Sequence, residues 1–140
     1  MKGKAVQKGR VTARAIVTSQ VFGFWGAVDT KTGEVIDQRH ELFGQNLKGK
    51  VFVFPEGRGS TVGAAVILEM VRNGCAPAAM LNRKTEVILA TGAILAEEFY
   101  HTSLPVLHQF DEDPVTAIKT GDLVEVDGDA GTVTIVENPS

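Results

Sequence analysis

The sequence predicts an α/β fold, a compact mixed sheet or small barrel flanked by two to three helices. Three observations carry this. Strand-like patterns stand at both ends of the chain, two helical stretches interleave with short apolar segments in the middle, and Val51-Phe52-Val53-Phe54 is an unbroken apolar run. Continuous apolar strands belong to sheets covered on both faces. The irregular order of elements argues against a doubly wound fold and against regular βαβ alternation.

The elements follow in chain order. Lys2, Lys4, Lys8 and Arg10 read as a solvated strand edge. Val11, Ala13, Ala15 and Val17 alternate with Thr12, Arg14, Ile16 and Thr18, a strand with one mostly apolar face. Asp29–Gly33 is a turn, with a short strand predicted over Glu34–Asp37. Asn46–Lys50 turns into the Val51–Phe54 strand, which Pro55 ends. Ser60 is a good N-cap for a helix over Thr61–Asn73 that stops at Gly74, with Val62, Val66, Met70 and Val71 as its buried stripe. Ala78–Leu81 is a short strand. Glu86–Tyr100 is a second helix, apolar at Val87, Ala90, Ile94 and Leu95, with Glu97 and Glu98 at its solvated end. Pro105–Phe110 is a strand, and Leu123–Val126 and Thr132–Val136 form a hairpin across Asp127–Gly131.

At 140 residues the chain is one domain, 1–140. A net charge of −3 with scattered basic residues argues against nucleic acid as a partner. A single cysteine, Cys75, excludes an internal disulfide and a self-contained thiolate cluster. No apolar stretch follows a basic start, and the longest strongly apolar run, Ala64–Leu68, is too short to span a bilayer. The expectation is a cytoplasmic protein with no membrane contact.

Val51–Gly63 is the segment most suggestive of function. A buried strand breaks through Glu56-Gly57-Arg58-Gly59-Ser60-Thr61 into a helix. Glycines let the backbone approach a ligand closely, and free amides at a helix start favour an anion. A plain strand-to-helix turn, capped by Ser60, accounts for the same residues. Two nucleotide motifs fail: Val62 occupies the third glycine position of the dinucleotide fingerprint, and no lysine serves a P-loop. Arg58 stands between two glycines, where its planar fork suits a carboxylate or a phosphate, or simply faces solvent.

Several blocks together resemble the swivelling-domain family of aconitase X. They are Phe24-Trp25-Gly26-x-Val28-Asp29-x-x-Thr32-Gly33, His40-x-Leu42-x-Gly44, Pro55-x-Gly57-Arg58-Gly59-Ser60-Thr61-Val62-Gly63 and Ala76-Pro77-Ala78-Ala79. Leu89-Ala90-x-Gly92-Ala93-Ile94 and Gly121-Asp122-x-Val124-x-Val126-Asp127 extend the likeness over nearly the whole chain. Ala64 departs from the pattern, standing where many members carry a second serine.

The resemblance implies a swivelling β/β/α domain that closes over a larger catalytic subunit, and a hydro-lyase that removes water from a hydroxy acid. It implies Ser60 as the proton-abstracting base, with Gly57, Arg58, Gly59 and Thr61 around the substrate. A serine alkoxide needs the helix N-terminus, nearby amides and a cation such as Arg58 to stabilise it. The departing hydroxide needs a Lewis acid. His40, His101 and His108 lack ligand spacing, and Cys75 reads as a small buried residue. The iron or iron–sulfur cluster that the family implies is therefore expected on a partner large subunit, with none bound by this chain.

Phe24, Trp25, Asp29 and His40 are candidates for the cleft or interface, each with structural packing as the competing role. The family's substrates are cis-3-hydroxy-L-proline and mevalonate 5-phosphate. Ala93–Glu98 and Pro77-Ala78-Ala79 look more like the hydroxyproline enzymes, so that substrate is the first expectation and phosphomevalonate the second. A non-catalytic anion-binding regulatory module is a further alternative. A phosphocarrier would need a histidine in the glycine turn, and none is there.

Overall fold

The computed structural model describes residues 1–57, 61–85 and 87–139, with Thr61, Val87 and Ile88 described by backbone alone. Arg58, Gly59 and Ser60 of the glycine turn, and Glu86, lie outside the described residues.

Among the described residues seven strands form one sheet: β1 (Lys4–Gln7), β2 (Arg10–Val17), β3 (Val51–Val53), β4 (Ala79–Leu81), β5 (Val106–His108), β6 (Leu123–Asp127) and β7 (Thr132–Glu137). The helices are α1 (Thr61–Arg72), α2 (Val87–Tyr100) and α3 (Pro114–Ala117). The strand order is β1-β5-β4-β3-β2-β6-β7. β2, β3, β4 and β5 run parallel, while β1 at one edge and the β6–β7 hairpin at the other are antiparallel. The sheet curls into a half-barrel whose edges meet. Lys2 bridges Thr132, Gly3 N–H donates to Gly131 O at 2.8 Å, and Val133 N–H donates to Met1 O at 2.9 Å. The basic N-terminus thus begins a strand.

Alternation along the short strands separates two cores. Phe52, Met80 and Val106 face α1 and α2, together with Ile67, Met70, Leu89 and Ala93. Val51, Val53, Ala79, Leu81 and Leu107 face the inside of the curl, against Ile118, Val124, Val126 and Val133. Both faces are covered, which is why the run from Val51 to Phe54 is apolar without a break.

Four sequence expectations need correction. The middle of the chain, β3-α1-β4-α2-β5, is a regular βαβαβ unit; strands of three residues are too short to show that periodicity. Glu34–Asp37 is not a strand. Val35 bridges Val28 and Glu34 bridges Asn46 as isolated pairs, inside a loop-built cap. The buried stripe of α1 runs through Gly63, Ile67, Met70 and Val71, while Val62 is exposed. On α2 the buried residues are Leu89, Gly92, Ala93 and Ala96, and Ile94 faces out.

The stripe on α2 is shifted because the two helices approach closely, so small residues fill the contact. A Cβ on Gly92 would stand 3.3 Å from Ile67 Cβ. The stop at Gly74 holds. Its φ of 72° is left-handed, and Cys75 N–H to Met70 O and Gly74 N–H to Val71 O close a Schellman motif.

Candidate functional site

In sheets of parallel strands with crossover helices, ligands sit beyond the carboxyl ends of the strands. Here that end gathers Thr18 after β2, Phe54–Gly57 after β3, Asn82–Thr85 after β4, and His108 at the end of β5. The described chain reaches this rim at Gly57, and the twelve-residue helix α1 begins at Thr61.

The chain enters the turn under close control. Phe54 N–H still pairs with Leu81 O at 3.1 Å. The next three carbonyls each find a donor from elsewhere. Phe54 O accepts the Asn82 side-chain Nδ2 at 3.0 Å, Pro55 O accepts the Arg83 amide at 2.9 Å, and Glu56 O accepts the Phe22 amide at 3.2 Å. Gly57 then pairs with Phe22 as a parallel bridge.

Beneath the turn lies an aromatic cluster. Phe22 meets Phe24 and Phe52 edge-on, with centroids 5.0 Å apart in each case, and Phe52 stacks on Phe54 at 4.3 Å. Phe24 belongs to this cluster and is buried, so it acts in packing rather than at the cleft surface. Trp25 is 66% exposed. It lines an open cavity of about 750 Å³ with Gln20, Phe22, Asp37, Arg39 and His40.

His40 faces this cavity with both ring nitrogens engaged. Nδ1 accepts the Leu42 amide at 3.1 Å, so Nε2 carries the proton that it donates to Val21 O at 3.2 Å. The ring holds the loop and sits edge-on to Phe22 at 5.2 Å. Asp29 is committed to its own turn: Oδ1 accepts the Lys31 amide at 2.8 Å, and its carbonyl accepts the Gly33 amide at 2.8 Å.

Sequence reasoning missed the polar network on the neighbouring crossover. Asn82 is fully buried, its Oδ1 accepts Thr85 Oγ1 at 3.0 Å, and the Thr85 amide donates to His108 Nδ1 at 2.8 Å. Burial, and then Lys4 and Lys84, hold the His108 pKa below 6.5. Thr18, also buried, donates to Glu41, which accepts the Ser19 amide at 3.2 Å as well. A polar residue directly after a buried strand was the available signal for Asn82.

The donors among the described residues do not fit a metal centre. Among the described residues no group of three or more His, Cys, Asp or Glu side chains is arranged around a common point. The Cys75 thiol donates to Thr30 O at 3.0 Å, and burial pushes its pKa up, away from the thiolate that iron would need. No helix among the described residues is long and apolar enough to cross a membrane.

A curled mixed sheet with two crossover helices on one face defines a β/β/α domain of the swivelling class. The chain belongs to the aconitase X swivel domain family, whose model matches residues 1–135. It is 45% identical to the phosphomevalonate dehydratase small subunit of Methanocella arvoryzae, over 95% of this chain and 96% of that one. It is 43% identical to the protein of the same name from Methanocaldococcus jannaschii, over 97% of each chain. The crystal structure of Thermococcus kodakaraensis aconitase X in its holo-form superposes with a TM-score of 0.87 at 39% identity, over 97% of each chain.

Proposed function

We propose that this chain is the small, swivelling subunit of a phosphomevalonate dehydratase, with Ser60 as the base. The observation that carries this reading is the end-to-end match, over 95% of this chain, to a small subunit of that name. The rim geometry supports it, since the chain leaves β3 and resumes in α1 at Thr61, immediately after Ser60 in sequence, at the carboxyl end of the parallel strands.

The first expectation of cis-3-hydroxy-L-proline gives way here to mevalonate 5-phosphate. Three of the residues that favoured it are explained by packing. Ala79 is buried in β4, and Ala93 and Ala96 are buried on α2, so they report close packing rather than substrate.

In this reading the proton on the carbon beside the hydroxyl-bearing carbon goes to Ser60 Oγ. Its electron pair forms the C=C bond as the hydroxyl leaves. Assistance to the departing hydroxide falls to the large subunit, where the family's iron chemistry belongs in this proposal. The N-terminus of α1 and the Arg58 guanidinium lower the cost of the alkoxide. Arg58 also suits the substrate's carboxylate or phosphate.

The test is reconstitution with the large subunit and assay on both substrates. Mevalonate 5-phosphate is turned over, and Ser60→Ala lowers kcat by about 10²–10⁴-fold, the scale of a lost general base. Near-normal turnover by the Ser60→Ala complex would leave Ser60 a helix cap in an anion-binding module. Turnover of cis-3-hydroxy-L-proline alone would sink the substrate assignment.

A further inference from the structure

We infer that Asn82 is a positioning residue of the dehydratase site, its buried amide setting where the β3 chain enters the glycine turn. The inference rests on the Ser60 reading above. Of the three carbonyls that leave β3, those of Pro55 and Glu56 are held by main-chain amides, which any residue but proline at 83 or 22 supplies. The Phe54 carbonyl is held by a side chain, at 3.0 Å, and so depends on the identity of residue 82.

Asn82 is suited to this and to little else. It is fully buried, and its main-chain amide donates to Leu107 O at 3.0 Å, so its backbone is anchored to β5. The amide plane is then oriented from the far side, because Oδ1 accepts Thr85 Oγ1 at 3.0 Å. That contact points Nδ2 at Phe54 and fixes which end of the amide does so. A leucine there would fill the space and strand the Phe54 carbonyl. An aspartate would present an acceptor to an acceptor.

A displacement of about 1 Å at a reacting group can lower rate by roughly 100-fold. Loosening the first fixed point before the turn therefore lowers turnover more than it lowers stability. Arg58 lies in the same turn, so substrate affinity is expected to shift with it, by less than the rate.

The experiment compares complexes reconstituted with the large subunit, measuring kcat, KM and melting temperature. Asn82→Ala is expected to lower kcat by roughly 10–100-fold, with KM changing less than kcat. Val126→Ala, buried on the other face of the sheet, is the control for lost stability and is expected to retain kcat. The double variant Asn82→Ala/Ser60→Ala is expected to be no slower than Ser60→Ala alone, because the amide acts through the serine.

Wild-type kcat in Asn82→Ala overturns the inference. So do losses that multiply in the double variant, or a kcat that tracks melting temperature equally in Val126→Ala. Should Asn82→Ala fail to assemble, Asn82→Ser is judged by the same three criteria. The Ser60 reading fails separately, through near-normal turnover of the Ser60→Ala single variant.

Discussion

The two crossovers that leave the parallel strands toward the helices look alike in topology and differ in role. After β3 the chain is glycine-rich, and the carbonyls of Phe54, Pro55 and Glu56 are all held by residues from elsewhere. After β4 the chain is Asn82-Arg83-Lys84-Thr85, and it supplies two of those three holds. One crossover is clasped and the other is the clasp. The residues that lead up to the glycines are held from outside, and a neighbouring loop of ordinary composition does most of the holding.

The harshest way to break this arrangement is to remove what the clasped crossover rests on. Phe54 is fully buried and stacks on Phe52. Phe54→Ala is expected to cost about 3–5 kcal/mol of stability, the usual range for a phenylalanine lost from a core. Denaturant unfolding of the isolated chain measures it. A cost below about 1 kcal/mol would mean that the cluster under the turn repacks freely, and the turn would then lack the rigid floor described here.

Much of this was legible in the sequence. Both long helices, the C-terminal hairpin and the Val51–Phe54 strand were readable from periodicity, an N-cap, a C-terminal glycine and a turn between two apolar runs. The α2 stripe was misread because bulky residues were taken to face inward. Close helix packing instead buries Gly92, Ala93 and Ala96 and leaves Ile94 outside. The glycine turn announced itself through composition. Asn82 did not, since its role comes from Phe54 and Leu107, each about 25 residues away along the chain. His40 was readable as a candidate, but its engagement at both nitrogens was not, because Val21 reaches it across the loop.

A gentler probe acts on the clasp through pH. His108 Nδ1 accepts the Thr85 amide, and burial, with Lys4 and Lys84 secondary, lowers its pKa in the folded chain below 6.5. The neutral ring is the form that folding favours. That contribution is fully present above 6.5, the unfolded value, and is lost as pH falls from there through the lowered folded value. Stability is expected to fall with a slope of at most about 1.4 kcal/mol per pH unit, the limit for one proton. His108→Gln is expected to flatten this part of the curve when unfolding is followed between about pH 7.5 and about pH 5. An unchanged slope in the variant would assign the acid sensitivity elsewhere.

The smallest effect is expected on the outside of the same loop. Arg83 grips Asp113, with Nε 3.0 Å from both carboxylate oxygens and a terminal nitrogen 2.8 Å from one of them. Asp113 also caps α3, where Oδ1 accepts the Val115 amide at 3.0 Å. The Arg83 hydrogen bond holds the Asp113 carboxyl below 3.8, so this contribution persists above that value and is lost only in stronger acid, outside the His108 window. Arg83 is exposed and Asp113 partly exposed to solvent, and such pairs are worth about 0.2–1 kcal/mol. Arg83→Met is therefore expected to cost no more than about 1 kcal/mol, with the difference from wild type shrinking in high salt. The reason is that the clasp holds Pro55 through the Arg83 main-chain amide, which the substitution keeps. A loss of several kcal/mol, insensitive to salt, would mean that the guanidinium rather than the buried Asn82 amide sets the position of the loop.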